Sequence, residues 1–228
     1  MAKPPAKRSS PQEIERFLQR SKNIAAFVAK QPRLLFAIDA TASRQPTWDR
    51  ACQVQREMFS ATREIASLAV QLVYYRGFRE LSASPWLTDS EQLSSLMARV
   101  YCEGGHTQIG RLLRHAMAEH RKIPVRAVVF IGDAMEENQD SLCDLAGQCG
   151  LLHLPLFLFQ EGRNPTVERC FRSMARLSGG AFARFDSRSA DTLAALLGAV
   201  ARYAAGGRVA LENSGDQTAR LLLQQLKP

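Results

Sequence analysis

The chain has 228 residues, 46% of them hydrophobic and 23% charged, with a formal net charge of +8. That composition suits one soluble domain with a substantial core, and no apolar run is long enough to cross a membrane. The first ten residues are basic and proline-rich with no apolar segment after them, which excludes a secretory signal.

Residues 1–9 are expected to be disordered. Ser10 then caps a helix, with Pro11 in the first turn and Glu13 reaching back to complete a capping box. It is expected to run to Lys30 and to bury Ile14, Phe17, Leu18, Phe27 and Val28; Pro32 stops it. Residues 34–43 follow, an uninterrupted apolar run ending in Asp39, with hydroxyls at alternate positions beyond it, Thr41 and Ser43. Such a run reads as a strand buried on both faces. Its end lies at the carboxyl edge of a sheet, where open α/β sheets bind ligands. Oxygen donors alone suit a hard cation such as Mg²⁺. The bland alternatives are that Asp39 starts a turn, Thr41 caps the next helix and Ser43 is solvated.

After a turn at 44–47, a helix is expected over 48–66, with Val54, Met58, Ala61 and Ile65 on one apolar face. A strand over 68–75 follows, and Arg76-Gly77 turns it back into a short antiparallel edge strand near 78–82. Thr88 to Glu91 reads as a capping box opening a helix with Leu93, Leu96, Met97 and Val100. Residues 103–107 form a glycine-rich loop ending in Thr107, and a helix from Gln108 to about Arg121 comes next. The third strong strand, 125–133, ends in Gly132-Asp133. Asn138 caps a helix to about Cys149, 154–159 is a fourth buried strand, and Asn164-Pro165 opens a helix closed by Gly179-Gly180. A short strand over 181–185 and an alanine- and leucine-rich helix over 189–205 complete the alternation, with an amphipathic segment in the tail. Strands alternating with helices argue for a largely parallel sheet covered on both faces.

The five cysteines are odd in number and form no Cys-x-x-Cys pair, so they read as thiols of a reducing compartment, not disulfides or zinc ligands. The four histidines lack metal spacing: His115 and His120 are five apart. The basic balance raises the prospect of an acidic partner, but the arginines are spread over many helices, as on a solvated surface.

Thr107 before its helix and Asp133 after its strand fall at the same sheet edge as Asp39, Thr41 and Ser43. Two carboxylates and three hydroxyls could surround one small cation. This pattern resembles the von Willebrand factor type A domain and its metal-ion-dependent adhesion site. The likeness covers about 34–205; Thr41 departs mildly, since serine is commoner there. The resemblance implies a Rossmann-like three-layer sandwich, its mostly parallel central sheet carrying one antiparallel edge strand and helices on both faces. It implies a basic tail over 1–9, an accessory helix over 10–31, the domain over 34–206 and a tail with a short amphipathic helix over 207–228. Thr41, Ser43 and Thr107 would reach Mg²⁺ or Mn²⁺ through hydroxyls, and Asp39 and Asp133 through waters. A partner's Asp or Glu carboxylate would complete the shell, making the chain a cytoplasmic adaptor in a multi-protein assembly and not an enzyme.

Glu136 and Glu137 read as a solvated loop placing charge at the next helix's positive end. His106 supports its loop, and Trp86 is a lid on the core beside the edge strand. Two rivals stand beside this reading. A haloacid dehalogenase-like phosphohydrolase would also end strands with Asp, but Thr41 occupies the position of its general acid. Nucleic-acid binding would use Arg111, Arg114, Arg121 and Lys122, yet no aromatic stacking pattern accompanies them.

Overall fold

The computed structural model describes residues 10–45, 68–185 and 190–226. The expected helix over 48–66, Cys52, the basic tail over 1–9 and the side chains of Phe27 and Val28 lie outside the described residues. Six strands form one sheet: β1 (Arg33–Asp39), β2 (Ala69–Arg76), β3 (Glu80–Ala83), β4 (Val125–Gly132), β5 (Leu156–Glu161) and β6 (Ala181–Phe185). Their order is β3-β2-β1-β4-β5-β6. Every neighbouring pair is parallel except β2 with β3, which the tight turn at Gly77 makes antiparallel. The described helices are α1 (Pro11–Lys30), α2 (Ser90–Met97), α3 (Ile109–Lys122), α4 (Gln139–Leu151), α5 (Pro165–Ser178), α6 (Ala190–Ser214) and α7 (Gln217–Leu223).

The uninterrupted apolar runs have a simple cause. β1 is central, so all seven of its residues are buried and alternate side chains feed two different cores. Leu34, Phe36 and Ile38 join Leu93 of α2, Leu197 of α6 and Leu222 of α7. Leu35 and Ala37 join Ile109 of α3, Leu142 of α4 and Phe171 of α5. The result is three layers, helices on both faces of a Rossmann-like sheet. Strand order reverses between β1 and β4, so the crevice at this fold's switch point opens at the carboxyl ends of those two strands.

Local chemistry sets the helix ends. At α1 the Glu13 N–H donates to Ser10 Oγ at 3.2 Å, and the Ser10 N–H donates to Glu13 Oε2 at 2.7 Å, the reciprocal box read from the sequence. Asn138 accepts from the Ser141 N–H, Asn164 from the N–H groups of Thr166 and Val167, and Gly179 closes α5 at φ 75°. At α2 the cap is Asp89 and not Thr88: its Oδ1 accepts from the N–H groups of Glu91 and Gln92. A carboxylate is the stronger acceptor. A second correction concerns α1, where Ile14, Phe17 and Leu18 are 48%, 70% and 52% exposed. Helical periodicity marks an apolar face but carries no information about whether another element covers it.

α6 bends at Gly207, whose φ of 68° only glycine adopts freely, and the helix then resumes to Ser214. Leu211, Ala219, Leu222 and Leu226 bury in the same core as β1, so residues 208–226 pack onto the domain. Beyond α7, Gln225 sits against the outer edge of β6. Its Oε1 accepts from the Phe182 N–H at 2.9 Å and its Nε2 donates to the Phe182 carbonyl at 3.0 Å.

Trp86 is half-buried and packs against the second core, the lid expected of it. Its Nε1–H donates to Glu119 Oε2 at 2.9 Å, and the Arg33 guanidinium lies 4.5 Å from the ring centroid. Trp86→Phe is expected to cost about 1.5 kcal/mol or more, the worth of a hydrogen bond to a charged group. Urea unfolding with an unchanged m-value would verify it. The four described cysteines are free thiols; burial pushes Cys149 up to about 11 and Cys170 up to about 12. No described helix is long and apolar enough to cross a membrane.

Candidate metal centre

β1 delivers Asp39 to the switch point. Its carboxylate is completely buried, and the chain folds back over it. Oδ1 accepts the Thr41 N–H at 2.8 Å, a local turn that Asp favours, and Oδ2 accepts the Tyr75 hydroxyl proton at 3.0 Å. A short 3-10 turn, Ala42–Arg44, then brings Ser43 Oγ to 3.2 Å from Thr41 Oγ1. Thr41 is buried and Ser43 is exposed, so the hydroxyl pair runs from the core to the surface.

Arg44 holds this loop down. The side chain is only 1% exposed. Its Nη1 donates to the Asp39 carbonyl at 3.0 Å, and Nε and Nη2 both reach Glu161 Oε2 at 3.0 Å. Glu161 ends β5, two strands away from β1.

β4 supplies Asp133. Ile38 pairs with Ile131, so Asp39 lies alongside Gly132. A Cβ on Gly132 would stand 2.8 Å from the Phe130 ring and 3.5 Å from the Asp39 Cβ. Glycine therefore makes room for the Phe130 ring of its own strand, while the Asp39 distance is ordinary van der Waals contact. The Asp133 Oδ1 is buried and has no hydrogen-bond partner among the described residues.

Thr107 joins through the loop that follows Asp133. The Thr107 N–H donates to Glu136 Oε2 and the Glu136 N–H donates to Thr107 Oγ1, each at 3.0 Å. His106 Nδ1 lies 3.1 Å from the same carboxylate oxygen. Glu137 accepts from the N–H groups of Ile109 and Gly110 at 2.8 and 2.7 Å. The two glutamates are thus not a solvated loop serving α4. They reach back to the Thr107 loop and the start of α3, because the 133–137 segment lies beside that helix's unsatisfied donors.

The electrostatics follow from burial. Desolvation pushes the Asp39 carboxyl above its ordinary range, and the neighbouring Asp133 charge adds to the rise. The bonds from Thr41 and the Arg44 charge pull the other way. Burial, then the Asp39 charge, drives the Tyr75 hydroxyl well above its usual value, so Tyr75 remains a donor. Among the described residues, no three His, Cys, Asp or Glu side chains converge as a metal cluster. The donors gathered here are instead two carboxylates and three hydroxyls. An orphaned carboxylate oxygen at the same sheet edge as a hydroxyl pair has the donor chemistry of a hard, oxygen-seeking cation's site.

The structure brings Asp39, Thr41, Ser43, Asp133 and Thr107 to one edge. Sequence reasoning missed Tyr75, Arg44 and Glu161. A signal existed for Glu161: it is a third acid ending a buried strand, as Asp39 ends β1 and Asp133 follows β4. Nothing local marks Arg44 as buried, since its partner is 117 residues away. Of the basic cluster, Arg114 and Arg121 line an open groove shared with Asp140 and Asp144, and Lys122 pairs with Glu119.

No protein-family model and no curated protein sequence matches the chain. Solved structures do match. A von Willebrand factor type A structure from Catenulispora acidiphila superposes with a TM-score of 0.62 at 15% identity, covering 77% of this chain and 43% of that one. The SpRpn10 VWA domain gives 0.58 at 10% identity, over 72% of this chain and 95% of that one. The conserved hypothetical protein BatB from Bacteroides thetaiotaomicron gives 0.55 at 13%, over 71% and 95%. The chain spans under half of the first of these and nearly all of the other two. It has the von Willebrand factor type A fold.

Proposed function

We propose that this von Willebrand factor type A fold serves as a metal-dependent protein-interaction module. Asp39, Thr41, Ser43, Thr107 and Asp133 would hold Mg²⁺, or Mn²⁺ in its place. The bound ion supplies an electron-poor position that takes an Asp or Glu carboxylate from a protein partner. The observation that carries this reading is the buried Asp133 Oδ1, unpartnered among the described residues and close enough to Asp39 for the two charges to interact, at the strand end from which the Thr41–Ser43 hydroxyl pair follows. A buried carboxylate oxygen left without a donor is costly unless something binds it.

The chain's own residues have separable tasks. Tyr75 and the Thr41 N–H orient the Asp39 carboxylate. Arg44 fixes the loop that carries the hydroxyls. Glu136 holds Thr107 to the Asp133 loop. Binding is favoured over turnover because Thr41, whose hydroxyl is a poor proton donor at neutral pH, stands two residues after Asp39. The free thiols fit a reducing compartment, and within this reading the chain acts as a cytoplasmic adaptor in an assembly.

The test is thermal unfolding with and without Mg²⁺. A cation at 100 times its Kd stabilises by about 2.7 kcal/mol, a shift of several degrees for a domain of this size. Ser43→Ala removes an exposed hydroxyl and is expected to leave the metal-free midpoint within about 0.5 kcal/mol while losing most of that shift. Asp39→Asn should abolish the shift, and its metal-free stability should fall less than wild type's as pH rises, although the amide offers one oxygen to the two donors that Asp39 accepts. The sign follows from linkage. The Asp39 pKa is raised in the folded state, so its contribution to stability is complete below the unfolded value and is lost as pH rises through the folded one. The neutral amide escapes that loss. Equal Mg²⁺ shifts in wild type and both variants would refute the assignment.

A further inference from the structure

The turn between β2 and β3 holds an exposed aromatic ring in a rigid mount. Phe78 is 74% exposed, among the highest values of any large apolar side chain described. Its backbone is nevertheless clamped. The Gly77 carbonyl accepts from the His106 N–H at 3.3 Å and from Gln108 Nε2 at 3.3 Å. The Arg76 carbonyl accepts from the same Gln108 nitrogen at 3.2 Å, and the Arg79 carbonyl accepts from Arg111 at 2.7 Å. Three anchored carbonyls flanking one exposed phenylalanine are not needed for burial, because the ring buries little.

The ring also connects to the candidate metal centre. Phe78 meets the His106 ring edge-on, centroids 5.4 Å apart. His106 touches Glu136, and Glu136 is latched to Thr107. Along the chain, Phe78 lies three residues beyond Tyr75, the residue paired with Asp39. That bounds its Cα to within about 15 Å of Asp39. An extended peptide covers that distance in roughly five residues or fewer.

We propose that Phe78, with His106 beside it, is a second anchor of the same surface, which takes an apolar side chain standing near the partner's acidic residue. This rests on the metal-dependent reading above. The occupant is a protein segment carrying a carboxylate with an aromatic or aliphatic residue close by in sequence. Charge at the turn is mixed, with Arg79 and Arg111 exposed beside the half-exposed carboxylates of Glu103 and Glu136, so the ion takes the partner's carboxylate and the uncharged ring takes its apolar neighbour. A pre-mounted ring loses little conformational entropy on contact, which is how buried anchors come to dominate small interfaces.

The experiment selects displayed random peptides on the full chain in Mg²⁺, with chelated controls, for wild type, Phe78→Ala and Ser43→Ala. Wild type is expected to enrich Mg²⁺-dependent peptides in which Asp or Glu is accompanied by an apolar residue. Phe78→Ala should keep its Mg²⁺ melting shift, bind those peptides roughly tenfold more weakly or worse, and enrich acidic peptides lacking the apolar neighbour. If wild type enriches acidic peptides with no neighbour preference, or Phe78→Ala binds them unchanged, the second anchor is wrong while the metal reading stands. If no enriched peptide depends on Mg²⁺ and the melting point ignores the ion, both readings fall together.

Discussion

Arg44→Ala is expected to destabilise the fold by about 3–5 kcal/mol, because it strands a carboxylate in a dry interior. Glu161 is 7% exposed and its ion-pair partner is the Arg44 guanidinium, at 3.0 Å. Removing the cation leaves that charge uncompensated and frees the Asp39 carbonyl as well. Urea unfolding should show the loss as a lower midpoint at constant m. The double variant Arg44→Met with Glu161→Leu separates charge from shape. It removes both ions and fills similar volume, so it should recover much of the lost stability. The same double variant should still respond poorly to Mg²⁺, since the loop carrying Thr41 and Ser43 has lost its tether. Full recovery of both properties would mean that Arg44 only fills space.

The second large effect is expected at Gly105. A Cβ there would lie 1.9 Å from the Gly77 carbonyl oxygen and 2.1 Å from its carbon. Both are backbone atoms, so no side-chain rotation relieves the overlap. Gly105→Ala must lift the 101–108 loop away from the β2 end, at a cost of about 1–3 kcal/mol. That loop also donates the Glu103 N–H to the Ala40 carbonyl at 3.0 Å and carries Thr107. The Mg²⁺ response should therefore weaken far beyond what the stability loss explains. Gly104 is the internal control: a Cβ there meets nothing within 4 Å, so Gly104→Ala should be nearly silent. Equal behaviour of the two alanines would contradict the close approach.

These two cases mark what the sequence could and could not convey. Burial on both faces wrote β1, β4 and β5 as plain apolar runs, and the alternation with helices gave the layers. Asp39 and Asp133 were legible because a charge directly after such a run is conspicuous. Arg44 was not, since arginine in a polar turn looks solvated until a partner 117 residues away is brought to it. Tyr75 read as a strand residue because β-strands favour tyrosine for packing alone. Glu136 and Glu137 were assigned to the helix that follows them, when tertiary folding offered α3's unsatisfied N–H groups instead. On α1 the periodicity was right and the burial was wrong, for the same reason: pattern is local and coverage is not. The pair Gly104-Gly105 read as one glycine-rich loop, yet only at the second would a Cβ meet a neighbour.

The Gln225 amide has a practical consequence. A sheet that stops at β6 leaves an unpaired row of backbone donors and acceptors, the template along which chains join edge to edge. Here one side chain occupies the Phe182 position of that row by imitating the next strand's peptide group. Gln225→Ala would keep Leu222 and Leu226 in the core but uncover this rim, and is expected to self-associate on concentration.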